Sequence, residues 1–172
     1  MKKHEVITIG LFGTCDNSQW RLPFIEKYKE MGIVYFNPDA GNDWYPGLVA
    51  YENYYLRNAE IILFPILAES LGSGSMAEIG FSVNNVLKNV LNGTNQTLIA
   101  LIDDDCTDER KTEEERKRSV KDRKLTKTKL MQHTQFPTIL LVESLNDLLQ
   151  LSLDVHDFIV QGECIKKIYY KA

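Results

Sequence analysis

The sequence predicts an α/β protein: an open, mostly parallel five-stranded sheet with helices on both faces. Three observations predict it. Short apolar runs recur five times along the chain. Segments of helical period separate them, the pattern of βα units. The runs are apolar nearly throughout rather than alternating, as expected of strands covered on both faces. Right-handed crossovers follow from chain chirality.

Val6 to Phe12 reads as the first buried strand, and Gly10 and Gly13 open a loop that ends at Ser18. A helix is expected after Ser18, through Ile25, Tyr28 and Met31, stopping at Gly32. Ile33 to Phe36 is the second strand, closed by Asn37-Pro38. Asn37 to Tyr51 reads as a long loop holding Pro38, Gly41, Pro46 and Gly47 beside Trp44 and Tyr45. A loop of that length in a compact domain is usually functional or disordered, and its aromatics argue for function. A short helix over Glu52 to Asn58 leads into the third strand, Glu60 to Ile66.

The segment ESLGSGSMAEIG follows, and Ile79, Val83, Val86, Leu87 and Val90 form a helical stripe. Thr97 to Ile102 is the fourth strand, ending in three aspartates. Asp108 to Gln132 is a polar helix candidate with ten basic and six acidic side chains, read as a solvated helix. Thr138 to Val142 is the fifth strand, and Leu145, Leu148, Leu149, Val155 and Ile159 line a last helix. In open α/β sheets ligands bind outside the carboxyl ends of the strands. The loops Gly10–Ser18, Asn37–Tyr51, Ala68–Ser75 and Asp103–Asp105 are therefore expected to meet at one edge.

Length and composition bound the function classes. The chain has 172 residues, 44% hydrophobic and 26% charged, which fits one globular domain over 1–172. That apolar content excludes wholesale disorder. The longest apolar stretch, Ile61 to Ala68, falls far short of the about 20 residues a bilayer span needs, so no membrane partner is expected. The net charge of −4 argues against binding a nucleic-acid polymer. Cys15, Cys106 and Cys164 are widely spaced with no CxxC, which suits a reducing cytoplasm rather than a disulfide framework or a zinc site. His4, His133 and His156 are scattered without ligand spacing, so no metal is expected. No signal peptide is read at the start of the chain.

Three features could carry chemistry. The glycines of Gly10–Ser18 can bring backbone amides close to a sugar or phosphate, or simply make a tight turn. Neither GxGxxG nor GxxxxGK[ST] occurs there. Ser75-Met76-Ala77-Glu78 reads as a capping box before an apolar stripe. The same placement would put the Glu78 carboxylate in a first helical turn, where the dipole favours its ionised form and lets it act as a nucleophile. Ser73 and Ser75 would supply hydroxyls for a sugar or phosphate. Asp39, Asp43 and Glu52 stand near Trp44, Tyr45 and Tyr51: aromatics can stack a base and a carboxylic acid can protonate it. A solvated acidic loop is the alternative there.

Taken together, the GTCDNSQWR loop after the first strand, FNPDAGNDW, the block Glu52 to Ile66 and GSGSMAEIGFS resemble the nucleoside 2-deoxyribosyltransferase-like family. The resemblance covers about the first 85 residues, in order. It implies a flavodoxin-like (Rossmann-like) sheet and N-deoxyribosyl transfer between nucleobases through a covalent glutamyl intermediate. It puts Glu78 in the nucleophile's position and Glu52 in that of the acid that manages the base's proton. It places Asp43 and Trp44 in the loop that covers the base, and Gly13, Thr14 and Ser18 in the loop that faces the sugar. It implies no cofactor. The partners it implies are a small-molecule nucleoside or nucleotide, a free nucleobase and further copies of the chain. The tail Ile165 to Tyr170 would complete a neighbour's pocket or form an edge strand.

One departure matters. Many members carry an aspartate six residues before the nucleophile, where this chain has Gly72. Hydrolase relatives acting on nucleoside 5′-monophosphates carry serine there, and this chain offers Ser70, Ser73 and Ser75 nearby. Hydrolysis of a deoxynucleoside 5′-monophosphate, with the serines and Arg21 holding the phosphate, is the second expectation. A nucleotide-binding module without turnover is the third.

Overall fold

The computed structural model describes residues 7–15, 18–39, 46–94 and 96–169. Five strands and five helices alternate strictly: β1 (Thr8–Leu11), α1 (Arg21–Met31), β2 (Val34–Phe36), α2 (Pro46–Asn58), β3 (Ile61–Ile66), α3 (Ser73–Leu91), β4 (Thr97–Ile102), α4 (Glu113–Met131), β5 (Ile139–Val142) and α5 (Leu145–Tyr169). The strand order is β2-β1-β3-β4-β5 and every pairing is parallel. That order is flavodoxin-like, with the topological switch between β1 and β3. The expected fold class is the observed one.

The pleat divides the core into two layers. Ile9, Leu11, Ile61, Leu63, Ile99 and Leu101 face α1 and α5, where Trp20, Phe24, Tyr28 and Leu148 meet them. Ile62, Phe64, Ile66, Leu98, Ala100 and Ile102 face the other way, onto Ile79, Val83 and Val86 of α3 and Leu130 of α4. Apolar side chains thus leave both faces of β3 and β4, which is why those strands read as unbroken apolar runs. A polar tie also crosses the first layer. Ser152 gives its proton to the Leu149 carbonyl (2.7 Å), so Tyr28 donates to Ser152 (2.6 Å) and links α1 to α5.

Three sequence expectations are corrected. The chain is helical from Pro46, not from Glu52. Pro46 and Gly47 read as turn residues, but proline is favoured at a first helical position, where no amide hydrogen is needed. The end of the chain, as far as Tyr169, continues α5 and forms no edge strand. Third, α3 starts at Ser73 with Gly72 as its N-cap in the left-handed region (φ 66°). Its first helical bond runs from Met76 N to Gly72 O (2.8 Å). Ser75 is therefore inside the first turn, Glu78 lies in the second, and no side chain caps the helix. The capping box sits elsewhere: Thr112 accepts from Glu115 N (3.3 Å) and Glu115 accepts from Thr112 N (2.8 Å), opening α4.

Candidate functional site

The carboxyl edge of the sheet is knit together by the loops after β1, β3 and β4. Beyond Leu11 the chain keeps hydrogen-bonding to β3, through Phe12 N to Leu63 O (3.0 Å) and Thr14 N to Pro65 O (2.8 Å). Gly13 lies between them at φ 95°, and a Cβ there would fall 2.3 Å from the Pro65 oxygen, so only glycine fits. Thr14 is buried, and its hydroxyl donates to Pro65 O (3.2 Å) and accepts from Leu67 N (2.8 Å). Both roles of that hydroxyl are taken by backbone. Ser18 donates to the Glu69 carboxylate and closes the β1 loop onto the β3 loop. The β4 loop joins through Asp103, whose carboxylate accepts from Ala68 N (2.7 Å).

Two buried arginines set this edge. Arg21 donates to Leu11 O (3.0 Å), Thr14 O (2.7 Å) and the Cys15 sulfur (3.4 Å), and lies 3.8 Å from Asp39. Its guanidinium also stands over the Trp20 ring, 4.6 Å from the centroid. Arg21 is only 3% exposed, so it frames the β1 loop rather than opening to a phosphate. Arg123, from the charged α4, is wholly buried. It donates to Ile66 O (2.8 Å), Leu67 O (2.8 Å) and Ser70 O, and its Nε donates to Ser119 Oγ (3.1 Å). It holds the turn that launches α3. A Cβ on Gly72 would lie 2.6 Å from Ile66 Cγ2 and 3.3 Å from Arg123 Nη2. The position where many family members carry aspartate is therefore closed to any side chain here. The solvated-helix reading of Asp108–Gln132 is corrected at Arg123, Ser119 and Leu130, which are buried.

Glu52 and Glu78 line a common cleft of about 700 Å³ between α2 and α3. Phe12 lies at its floor side and Val49, Leu56 and Phe81 supply apolar walls. Among the described residues neither carboxylate has a hydrogen-bond or ion-pair partner. Burial pushes the Glu52 carboxyl above its ordinary value while Arg21 draws it down. Burial raises Glu78 as well, and the charge on Glu52 raises it further. This corrects the expectation that a helix dipole holds Glu78 ionised. One turn further along the helix, desolvation and a neighbouring carboxylate outweigh a dipole effect confined to the first turn.

Of the other expected site residues, none of Gly13, Thr14, Ser18, Ser73 and Ser75 lines this cleft. Ser18 lines a separate, smaller depression with Cys15, Glu69 and Arg110. Gly13 and Thr14 form the wall between the β1 and β3 loops. Ser73 and Ser75 occupy the first turn of α3. Asp43 and Trp44 lie outside the described residues. Among the described residues no group of three or more His, Cys, Asp or Glu side chains is placed to hold a metal, and no helix is long and apolar enough to cross a membrane. Arg123 and Glu69 are the structural residues of the edge that sequence reasoning missed.

No family model matches the chain, and no curated protein does. Among solved structures the chain is similar to a conserved protein from Enterococcus faecalis V583, with a TM-score of 0.45 and 15% sequence identity over 85% of this chain and 96% of that one.

Proposed function

We propose that the protein is a nucleoside deoxyribosyltransferase that moves a 2-deoxyribosyl group between nucleobases through an ester on Glu78. The observation that carries this reading is the pair Glu52 and Glu78, two unpartnered carboxylates on adjacent helices in one cleft, both with raised pKa. Unpaired carboxylates in a cleft weigh against stability, and such perturbed pairs cluster at functional sites. The sequence resemblance supplies the chemistry for the pair.

In the first step the C1′–N bond breaks, its electrons leave with the base, and the Glu52 proton neutralises the departing nitrogen. A Glu78 oxygen bonds C1′ as the oxocarbenium-like charge develops, as in retaining glycosidases. In the second step an acceptor base attacks C1′, the ester bond breaks, and the proton released by the acceptor returns to Glu52. The productive state of the empty site is thus Glu52 protonated with Glu78 ionised, one proton held by the pair. The raised Glu52 supports its role as acid. Once Glu52 is neutral, the repulsion that raises Glu78 is removed. Thr14, Gly13 and Arg21 act in this scheme by shaping the β1 loop, and Arg123 by fixing the start of α3. Trp44 and Asp43 remain the proposed cover for the base.

The exposed side chains Val49, Tyr51, Tyr54 and Phe81 on the two cleft helices support the expectation of a homo-oligomer. The free thiols of Cys15 and Cys106 suit a cytoplasmic setting.

The test is chromatographic. A pyrimidine deoxynucleoside incubated with adenine and the protein is expected to yield deoxyadenosine. Free base without a new nucleoside places the protein in the hydrolase branch. No change with the deoxynucleosides or their 5′-monophosphates favours a binding module.

A further inference from the structure

Helix α4 concentrates positive charge. From Arg116 to Met131 it carries eight basic side chains and one acidic, in a protein whose net charge is −4. The structure accounts for most of these cations. Arg123 is buried against the carbonyls at the end of β3. Arg116 donates to the carbonyls of Asp108 (3.5 Å) and Lys111 (3.3 Å). Lys127 lies between Asp104 (3.3 Å) and Glu143 (3.4 Å). Lys117 and Arg118 meet Glu113 and Glu114 one turn back. Lys121, Lys124 and Lys129 remain, and among the described residues none of the three has an ion-pair partner.

Folding does not explain these three lysines. Ser119, Arg123 and Leu130 form the buried side of α4. At about 100° per residue, Lys121 and Leu125 stand on the opposite side, flanked by Lys124 and Lys129, with Asp122 at the rim. Lys117, Lys121 and Lys124 set like charges three and four residues apart, which weakens a helix. The helix dipole favours only Lys129, in the last turn. Apolar side chains share the face: Leu125 is 58% exposed, and Met131, two turns beyond Lys124, is 59% exposed. Unpaired lysines interleaved with exposed aliphatic side chains are the composition of a helix that lies on an anionic bilayer. Nucleic-acid surfaces instead favour aromatic rings that stack and arginine forks.

We propose that this face of α4 docks the protein on an anionic lipid bilayer, with Lys121, Lys124 and Lys129 among the lipid phosphates and Leu125 and Met131 reaching into the headgroup layer. The sequence expectation of no membrane partner rested on the lack of a spanning segment, and among the described residues no helix is long and apolar enough to cross a membrane. A basic face of this kind lies on the surface and crosses nothing. The proposal does not rest on the deoxyribosyl-transfer reading, because α4 contributes no residue to the Glu52–Glu78 cleft.

The test is co-sedimentation of the full chain with phosphatidylcholine vesicles that contain either no anionic lipid or about one-third phosphatidylglycerol. Binding is expected only to the anionic vesicles, and is expected to fall as salt rises from about 0.05 M to about 0.5 M. Lys121→Gln, Lys124→Gln and Lys129→Gln together are expected to weaken it about a hundredfold, each cation near the surface being worth about fivefold. Exchange of all three for arginine retains it. Leu125→Gln with Met131→Gln is expected to weaken it about tenfold. All five side chains are exposed, and melting temperatures measured alongside separate lost binding from lost structure. The proposal is overturned if anionic vesicles bind no more protein than neutral ones, or if the glutamine variant of the three lysines binds as the wild type does. It is also overturned if binding ignores Leu125 and Met131, or if a nucleic-acid duplex is bound more tightly through the same lysines.

Discussion

Glu52 on α2 and Glu78 on α3 line the same cleft, and the negative charge of Glu52 raises the pKa of Glu78. The asymmetry comes from Arg21, which draws Glu52 toward its ionised form. In the empty site Arg21 therefore pulls the shared proton away from Glu52, the residue that must deliver it. Binding of a base whose nitrogen accepts a hydrogen bond from protonated Glu52 reverses that preference.

The pH profile of kcat/KM is expected to be bell-shaped. The acid limb marks protonation of Glu78, and the alkaline limb marks loss of the Glu52 proton. Both carboxyls are raised from 4.5, so both limbs lie above that value and belong to the pair rather than to one residue. A profile that stays flat from about pH 4 to about pH 9 contradicts the shared-proton account.

Stability follows the same shift with a definite sign. A carboxyl whose folded pKa is raised makes its full contribution below its unfolded value. It loses that contribution as pH climbs through the folded value. Glu78→Gln stays neutral and keeps at neutral pH what Glu78 gives up. The variant is expected to melt higher than wild type at neutral pH and at the same temperature below about pH 4. Because the carboxyl remains partly solvated, the gain is under about 1 kcal/mol. An equal or lower melting temperature at neutral pH argues against a strained pair.

Much of this architecture is legible from the chain, and the exceptions have physical reasons. The five strands show as apolar runs because helices cover both faces, and the expected boundaries differ from the observed ones only at the ends. S/T-x-x-E occurs at Ser75–Glu78 and at Thr112–Glu115, but only the second caps a helix. The difference is Gly72, whose left-handed backbone caps the helix and lets it begin at Ser73, two residues before Ser75, a choice that Arg123 and Ile66 enforce from afar. Arg123 itself was hidden: nothing local in a run of ten cations marks the one that turns inward to the carbonyls at the end of β3 and in the turn beyond it. The Pro46 start of α2 did carry a signal, proline at a first helical position. The pairing of Glu52 with Glu78 rests on two helices meeting, which the resemblance anticipated and periodicity alone did not.

Arg123→Met is expected to destabilise the protein by about 3 kcal/mol or more, because it removes the buried charged donor shared by the carbonyls of Ile66, Leu67 and Ser70 and leaves each with a single remaining donor, Asp103 N, Ser70 N and Cys106 Sγ. Urea denaturation measures this, and a loss below about 1 kcal/mol would show that water or neighbouring amides replace the guanidinium.

The glycines separate steric contact from backbone strain. Gly13 and Gly32 both have positive φ, but a Cβ meets Pro65 at the first and nothing within 4 Å at the second. Gly32→Ala is expected to cost about 1–2 kcal/mol, the left-handed penalty alone. Gly13→Ala adds the backbone clash and is expected to cost at least about 1 kcal/mol more. Equal losses in thermal melts of the two variants contradict the close packing of the β1 loop on β3.

The most direct measurement of the central claim is mass spectrometry of the protein quenched during incubation with a 2′-deoxynucleoside bearing 2′-fluorine, which slows release of the sugar. The account predicts a deoxyribosyl-type adduct on the peptide that contains Glu78, present in the wild type and missing in Glu78→Gln. An adduct on another residue, or turnover that proceeds undiminished in Glu78→Gln, contradicts it.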